Sequence, residues 1–185
     1  GPLGIRPVIA QNLDKLPPEA ELALAWTPPE VRGPLSIALQ LDRRLARIVT
    51  RTHETMLGQV RLAWWREALG KSVAERPQGD AVLDASGNHW AGRETALIAM
   101  VDGWEVLLTA DPLDPPAIAS FGQQRSAFFP ALLDSPLIPE KQDSIAAAAM
   151  RWAIADAAAR VSGEGERAAL IAQGEACRST GARLP

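Results

Sequence analysis

Four acidic residues lie in segments whose hydrophobic pattern is typical of helices. Asp42 follows Leu41 in a mainly apolar stretch, and Asp156 is nearly the only polar residue in an alanine-rich one. Asp102 and Glu105 are three positions apart, so they share one face of a helix. Carboxylates on facing helices could hold Mg²⁺, since this ion prefers oxygen ligands. The alternative is that each acid lies on a solvated helix face.

A stripe of arginines runs beside the first of these acids. Arg44, Arg47 and Arg51 follow one another at steps of three and four. Arg61 lies between Leu57 and Trp64, on a stripe that we expect to face inward. A buried arginine needs a carboxylate or phosphate partner, and its fork of donors matches phosphate oxygens.

These residues predict a central cavity suited to an anionic head group on an apolar tail. The candidate catalytic residues are Asp42, Asp102 and Asp156, and the metal ligands are left open. The candidate substrate-binding residues are Arg44, Arg47, Arg51, Arg61, Trp64, Trp65 and Glu105. The tryptophans have a second interpretation, since large aromatic residues more often build the core.

Composition and spacing predict an all-α fold that would position these residues. Alanine, the best helix former, occurs 33 times, while tyrosine is absent and phenylalanine occurs only 3 times. Ile37, Leu41, Leu45 and Ile48 repeat at steps of four, four and three, which is the helical period. Long helices with short connections predict an antiparallel bundle.

The 185 residues suit one domain, which we expect to span residues 5–185. Residues 1–4 resemble the remnant of a cleaved fusion tag, and a short helix is expected near residues 19–26. Several glycines and prolines in residues 75–92 predict a long connection. The end at Pro185 is unusual for a natural terminus, so a C-terminally truncated bundle is one interpretation.

Charge and residue counts exclude several classes of protein. The net charge of -3 and the pI of about 5.5 argue against a nucleic-acid binder. The single cysteine excludes an internal disulfide, and the two histidines form no zinc-binding pair. No uncharged run approaches the roughly 20 apolar residues of a transmembrane segment. We therefore expect a cytoplasmic protein. Peripheral contact of this protein with the inner membrane is compatible with that expectation.

Three segments together resemble the squalene/phytoene synthase family. Residues 61–69, Arg-Leu-Ala-Trp-Trp-Arg-Glu-Ala-Leu, are similar to the family's arginine–tryptophan helix. Residues 37–49 resemble the helix that carries its first aspartate motif, and residues 97–105 resemble a further family segment around Asp102. The resemblance implies an all-α isoprenoid-synthase fold. Active members join two prenyl diphosphates head to head, with Mg²⁺ held by two aspartate-rich motifs.

Both aspartate motifs are incomplete in this chain. The family pattern places a second acid four residues after the first, but Ala46 follows Asp42 and Arg160 follows Asp156. Each motif therefore keeps at most one carboxylate, which is few for a magnesium cluster. A branch of the family that has lost these motifs is associated with the assembly of respiratory complex I, and the chain resembles that branch.

Three hypotheses follow from the residues and the resemblance. The leading one is a catalytically weakened family member that needs no cofactor. It would bind an isoprenoid diphosphate or related lipid, or act as a respiratory-complex assembly factor. The second is an active prenyltransferase that uses Mg²⁺. The third is a helical protein-interaction module without a ligand cavity, whose apolar surface serves a protein partner.

Overall fold

The computed structural model describes residues 27–133, 139–160 and 164–181, and all of the regular structure in these ranges is helical. This confirms the all-α prediction. The α-helices are α1 (Pro29–Arg51), α2 (Thr55–Gly70), α3 (Ala81–His89), α4 (Glu94–Thr109), α5 (Pro115–Ser126), α6 (Phe128–Ala131), α7 (Pro139–Arg160) and α8 (Glu164–Gly181). The predicted tag remnant and the helix near residues 19–26 lie outside the described residues.

Helix α1 contains one proline in its first turn and a second in its interior. Pro29 occupies its first turn, where a missing N–H costs no hydrogen bond, and Pro34 lies inside the helix. The Pro34 carbonyl accepts a hydrogen bond of 2.8 Å from Trp90 Nε1. The predicted apolar stripe is confirmed, because Leu41 and Leu45 are buried.

Helix α2 is apolar on two sides, and the side with Leu57 and Trp64, which we expected to face inward, is mostly exposed. Leu62, Trp65 and Leu69 on the other apolar side are buried, and Ala68 is buried between the two. Both faces are apolar, so hydrophobicity alone did not identify the inner one. Close packing against α4 selects the face of Gly58, where an added Cβ would lie 2.8 Å from the Leu108 side chain.

The predicted long connection at residues 75–92 is wrong, because α3 forms within it. Asp80 caps this helix, and its carboxylate accepts hydrogen bonds from the backbone N–H groups of Val82 and Leu83. The same carboxylate pairs with Arg44 of α1 at 2.9 Å. Val82 and Leu83 are buried. The capped first turn and this apolar face therefore stabilise the helix by more than Gly87 and Asn88 destabilise it.

Replacing Asp80 by alanine is expected to lower the free energy of unfolding by about 1–2 kcal/mol, since the α3 cap and the Arg44 pair are lost together. Asp80→Asn is the matched control, because asparagine caps as well as aspartate and loses only the charge. Urea unfolding of both variants measures the difference. Equal losses in the two variants would contradict the capping role.

The helices around α4 build the centre of the molecule. Leu97, Met100, Val101 and Trp104 of α4 are buried, and this helix packs against α1, α2 and α5. Helix α7 packs against α5 on one side and α8 on another. Helix α7, which carries Asp156, is therefore connected to the central helix α4 through α5. Residues of α5 lie between the two segments that resemble aspartate motifs.

Candidate functional site

A fully buried arginine of α5 joins Asp42 of α1 to Asp156 of α7. The Arg125 guanidinium donates from Nε to Asp42 Oδ1 at 2.8 Å and from one terminal nitrogen to Asp42 Oδ2 at 2.7 Å. The same terminal nitrogen donates to Asp156 Oδ2 at 2.5 Å. The other terminal nitrogen donates to the Ala153 carbonyl at 2.6 Å. All three nitrogens of Arg125 are thus hydrogen-bonded.

Two tryptophans complete the surroundings of this guanidinium. Its central carbon lies over the rings of Trp104 and Trp152, at 4.6 and 4.5 Å from their centroids. Trp104 Nε1 also donates a hydrogen bond of 2.9 Å to Asp42 Oδ1. Cation–π attraction is strongest where water is excluded, so the rings stabilise the charge as well as covering it.

Arg160 extends the arrangement at the position where the second motif would carry its second acid. It donates from Nε to Asp156 Oδ2 at 2.8 Å and from a terminal nitrogen to Oδ1 at 3.0 Å. We call Asp42, Arg125, Asp156 and Arg160 the central charge cluster. It contains two carboxylates and two guanidinium groups, so its formal charges cancel.

The electrostatics of the central charge cluster keep Arg125 charged. Burial alone would lower the pKa of its guanidinium, but the charges and hydrogen bonds of Asp42 and Asp156 outweigh that effect and raise the pKa above its ordinary value. An arginine in this state does not release its proton under any condition in which the protein is folded. The carboxylates therefore face a permanent cation.

These residues do not fit the Mg²⁺ cluster that the family resemblance implies. Mg²⁺ takes oxygen ligands in near-octahedral geometry, and a protein usually holds it through one or two carboxylates that are free to bind it, together with waters and substrate phosphates. Here the Asp42 and Asp156 oxygens accept hydrogen bonds from arginine, and a guanidinium lies between the two side chains. Across the residues that the structure describes, there is no group of three or more acidic, histidine or cysteine residues that could hold a metal.

Asp102 and Glu105 share a face of α4, as the sequence predicts, but they bind a different arginine. Arg66 of α2 donates from Nε to Asp102 at 2.7 Å and from a terminal nitrogen to Glu105. Burial lowers the pKa of Arg66, and its hydrogen bonds to Asp102 and Glu105 more than compensate, so the pKa is raised. This group holds α2 against α4, and Asp102 is directed to Arg66 rather than to the central charge cluster.

The candidate arginines of α1 and α2 do not gather around a central cavity. Arg44 pairs with Asp80, Arg47 is half-buried, and Arg51 and Arg61 are exposed. The expectation that Arg61 is buried was wrong, because the face of α2 that carries it points away from the core.

The two adjacent tryptophans of α2 have different environments. Trp65 is buried, whereas 41% of Trp64 is exposed. Their rings meet edge to face with centroids 5.1 Å apart. Trp65 therefore belongs to the core, and Trp64 belongs to the surface of α2.

Arg125 and Trp152 are absent from the residues predicted from sequence. One signal could have identified Arg125, since Ile118, Phe121, Gly122 and Arg125 follow the helical period and form the buried stripe of α5. A cation on such a stripe needs buried carboxylates, and Asp42 and Asp156 were already known as acids in apolar helices.

Comparison of the chain with family models, with curated proteins and with solved structures found no match. The family resemblance therefore stays a prediction. Among the described helices, none combines the length and the apolar character that crossing a membrane requires.

Proposed function

We propose that the chain is a lipid-associated binding protein with a squalene/phytoene synthase-like helical core and without the metal-dependent prenyl transfer of that family. The observation that carries this proposal is the position of Arg125, whose guanidinium lies between Asp42 and Asp156. A permanent cation therefore lies between the two aspartates to which the resemblance would assign magnesium binding, and its ion pairs argue against a metal there.

A diphosphate leaving group is stabilised by metal ions, and the metal ions are held by several carboxylates on facing helices. In this chain both candidate carboxylates are already hydrogen-bonded to arginine, and Arg160 replaces the second acid of one motif. Binding Mg²⁺ there would require breaking a buried ion pair, which is strongly unfavourable.

Assembly of a respiratory complex is the second candidate function, and it rests on the resemblance to the family branch that has lost its aspartate motifs. Buried charges that pair with one another hold helices in place without offering reactive groups, so such a protein would act through its surface. The family branch that the chain resembles has this role. Deleting the gene and measuring complex I activity in membranes distinguishes this candidate, since a pure lipid binder would leave that activity unchanged.

Incubation with farnesyl or geranylgeranyl diphosphate, Mg²⁺ and NADPH is expected to give no squalene, phytoene or cyclopropyl product. The physical reason is that the carboxylates of Asp42 and Asp156 are committed to Arg125. Product analysis with an active family member in parallel measures this directly. Turnover at an enzyme-like rate that is abolished by Asp42→Ala would instead establish the prenyltransferase alternative.

Calorimetry provides an independent measurement for the same proposal. Titration of the protein with Mg²⁺ together with inorganic pyrophosphate is expected to show no saturable binding, because the residues that the structure describes contain no cluster of acidic, histidine or cysteine side chains that could hold the metal. Binding that disappears in Asp156→Asn would place a metal at the central charge cluster and overturn the proposal.

A further inference from the structure

A cavity that opens to solvent lies between the connection after α2 and the first turn of α3. Its volume is about 320 Å³, which is within the range of small-molecule sites. Its lining combines apolar, charged and amide side chains, contributed by Val73, Arg76, Pro77, Gln78, Leu83 and Asp84. None of these residues belongs to the central charge cluster, so the cavity is separate from the site described above.

Arg76 is a buried arginine in the wall of this cavity, and one of its donors is unpaired. Its side chain is only 5% exposed. Nε and one terminal nitrogen donate to the carbonyls of Lys71 and Leu69, at 3.0 and 3.1 Å. That terminal nitrogen also lies 3.8 Å from a carboxylate oxygen of Glu94. The other terminal nitrogen, Nη1, is buried and has no hydrogen-bond partner in the part of the chain that the structure describes.

The unpaired Nη1 points to a ligand that supplies an oxygen. A buried donor without an acceptor is unfavourable, and most buried polar atoms in proteins have a partner. The other two nitrogens of Arg76 are held by backbone carbonyls, so the guanidinium is already fixed in position. A carboxylate that entered the cavity would therefore find an ordered cation with a donor to spare.

Asp84 contributes a carboxylate to the same cavity. It is half-buried, and its Oδ2 accepts a hydrogen bond of 3.2 Å from the backbone N–H of Gly79. The ion-pair partner of Arg76 among the described residues is Glu94 rather than Asp84. The cavity therefore presents both a cation and an anion, and the two do not neutralise one another directly.

The apolar part of the lining is held in place by α3. Leu83 belongs to this helix and is only 1% exposed. Val73 opens a short 3₁₀ turn, Val73–Glu75, and packs against the same helix. A Cβ added to Gly87 would lie 2.9 Å from Val73 Cγ1, so the glycine permits this close contact. The apolar wall is therefore already formed before any ligand binds.

The charges of the lining distinguish between classes of small ligand. A simple anion would meet the carboxylates of Asp84 and Glu94, and a simple cation would meet Arg76, whereas a molecule with both charges complements both sides. At about 30 Å³ for each water-sized group, the cavity holds roughly ten such groups. That is the size of an amino acid such as leucine, whose side chain would suit the apolar wall.

The geometry points to a binding site for a free α-amino acid with an apolar side chain of about the size of leucine. Arg76 Nη1 donates to the carboxylate of the ligand, and Asp84 accepts from its ammonium group. Val73 and Leu83 contact its side chain. This site goes beyond the proposed function and does not depend on it.

Titration of the full chain with L-leucine, followed by NMR of the methyl groups of Val73 and Leu83, tests this inference. Leucine is expected to shift these signals saturably. Isocaproate lacks the ammonium group and isoamylamine lacks the carboxylate. Each is expected to bind at least about tenfold more weakly than leucine, because it leaves one charge of the cavity without a partner.

Asp84→Asn separates the charge of the cavity from its shape. The amide keeps an oxygen for the Gly79 N–H but loses the charge, so leucine is expected to bind at least about tenfold more weakly. Glu75→Gln is the matched control. It removes the same charge from an exposed neighbour that does not line the cavity, and it should leave the affinity for leucine unchanged. Urea unfolding of both variants verifies that the fold is retained.

Three results would overturn the amino-acid site. They are no saturable shift with leucine, an analogue that binds as tightly as leucine, and an affinity that Asp84→Asn leaves unchanged. Equal binding of isocaproate would assign the cavity to simple anions. Failure here is distinguishable from failure of the proposed function, because prenyl product formation is measured without amino acids.

Discussion

Replacing Arg125 by methionine is expected to lower the free energy of unfolding by about 3–5 kcal/mol. The substitution preserves most of the volume but leaves Asp42 buried without its cation, and Asp156 loses one of its two arginine partners. The Ala153 carbonyl also loses its donor. Urea unfolding followed by tryptophan fluorescence measures the loss, since Trp104 and Trp152 lie against the guanidinium.

Arg61→Met is the matched control for this substitution. It makes the same chemical change on an exposed side chain and should alter stability by no more than about 0.5 kcal/mol. If Arg125→Met does not fold, Asp156→Asn provides a milder test, because Asp156 is only partly buried.

A double-mutant cycle isolates the charge interaction. Asp42→Asn combined with Arg125→Met should be less destabilised than the sum of the two single variants, because the second change removes the stranded charge. Additive losses would show that Asp42 and Arg125 do not stabilise one another.

The direction of the Arg125 pKa shift also fixes the pH range in which its charge stabilises the fold. A group whose pKa is raised on folding contributes stability that is complete below its unfolded pKa and is lost only as the pH rises through the folded value. For a guanidinium, that loss lies above any pH used for a folded protein. Raising the pH therefore does not break the ion pairs of Asp42 and Asp156 with Arg125.

The helices that define the fold could largely be predicted from sequence. Their apolar residues recur at the helical period, as Leu41 and Leu45 do in α1 and Leu97 and Val101 do in α4, and both pairs are buried. Periodicity is a local property, so a single sequence reveals it.

The parts that were predicted wrongly depend on contacts between distant residues. Helix α2 is apolar on two sides, and its inner face is selected by Gly58 against Leu108 and by Arg66 against Asp102. Helix α3 contains residues that disfavour helices, and it is stabilised by its Asp80 cap. Neither cause is visible in the period of the hydrophobic residues.

In the candidate site, too, local sequence identified some residues, and contacts between distant residues determine the others. Asp42 and Asp156 were identified because they are acids in apolar helices, and the structure brings them to one cation. Arg125 was not identified, because it is 83 residues from Asp42 and is adjacent in sequence to Gln124 and Ser126, which hide the apolar stripe that it continues. The resemblance emphasised carboxylates that the chain lacks, whereas the structure pairs the two that it has with an arginine of α5.

The position of Arg125 depends on how closely α5 approaches α4, and Gly103 permits that approach. A Cβ built on Gly103 would lie 2.8 Å from the Arg125 backbone nitrogen and 3.1 Å from the Phe121 carbonyl oxygen. These atoms belong to the backbone of a helix and cannot rotate away as a flexible side chain can. Any residue larger than glycine must therefore push the two helices apart.

Gly103→Ala is accordingly expected to lower the free energy of unfolding by about 1–3 kcal/mol, even though alanine favours helices more than glycine does. Gly70→Ala is the matched control, since nothing lies within 4 Å of an added Cβ there, and the higher helix propensity of alanine should leave stability unchanged or slightly increased. Because α5 carries Arg125, the displacement in Gly103→Ala should also weaken its hydrogen bonds to Asp42, and the Arg125→Met loss should be smaller in that background. A Gly103→Ala variant as stable as the parent, with the full Arg125→Met loss, would show that the spacing of α4 and α5 does not position the central charge cluster.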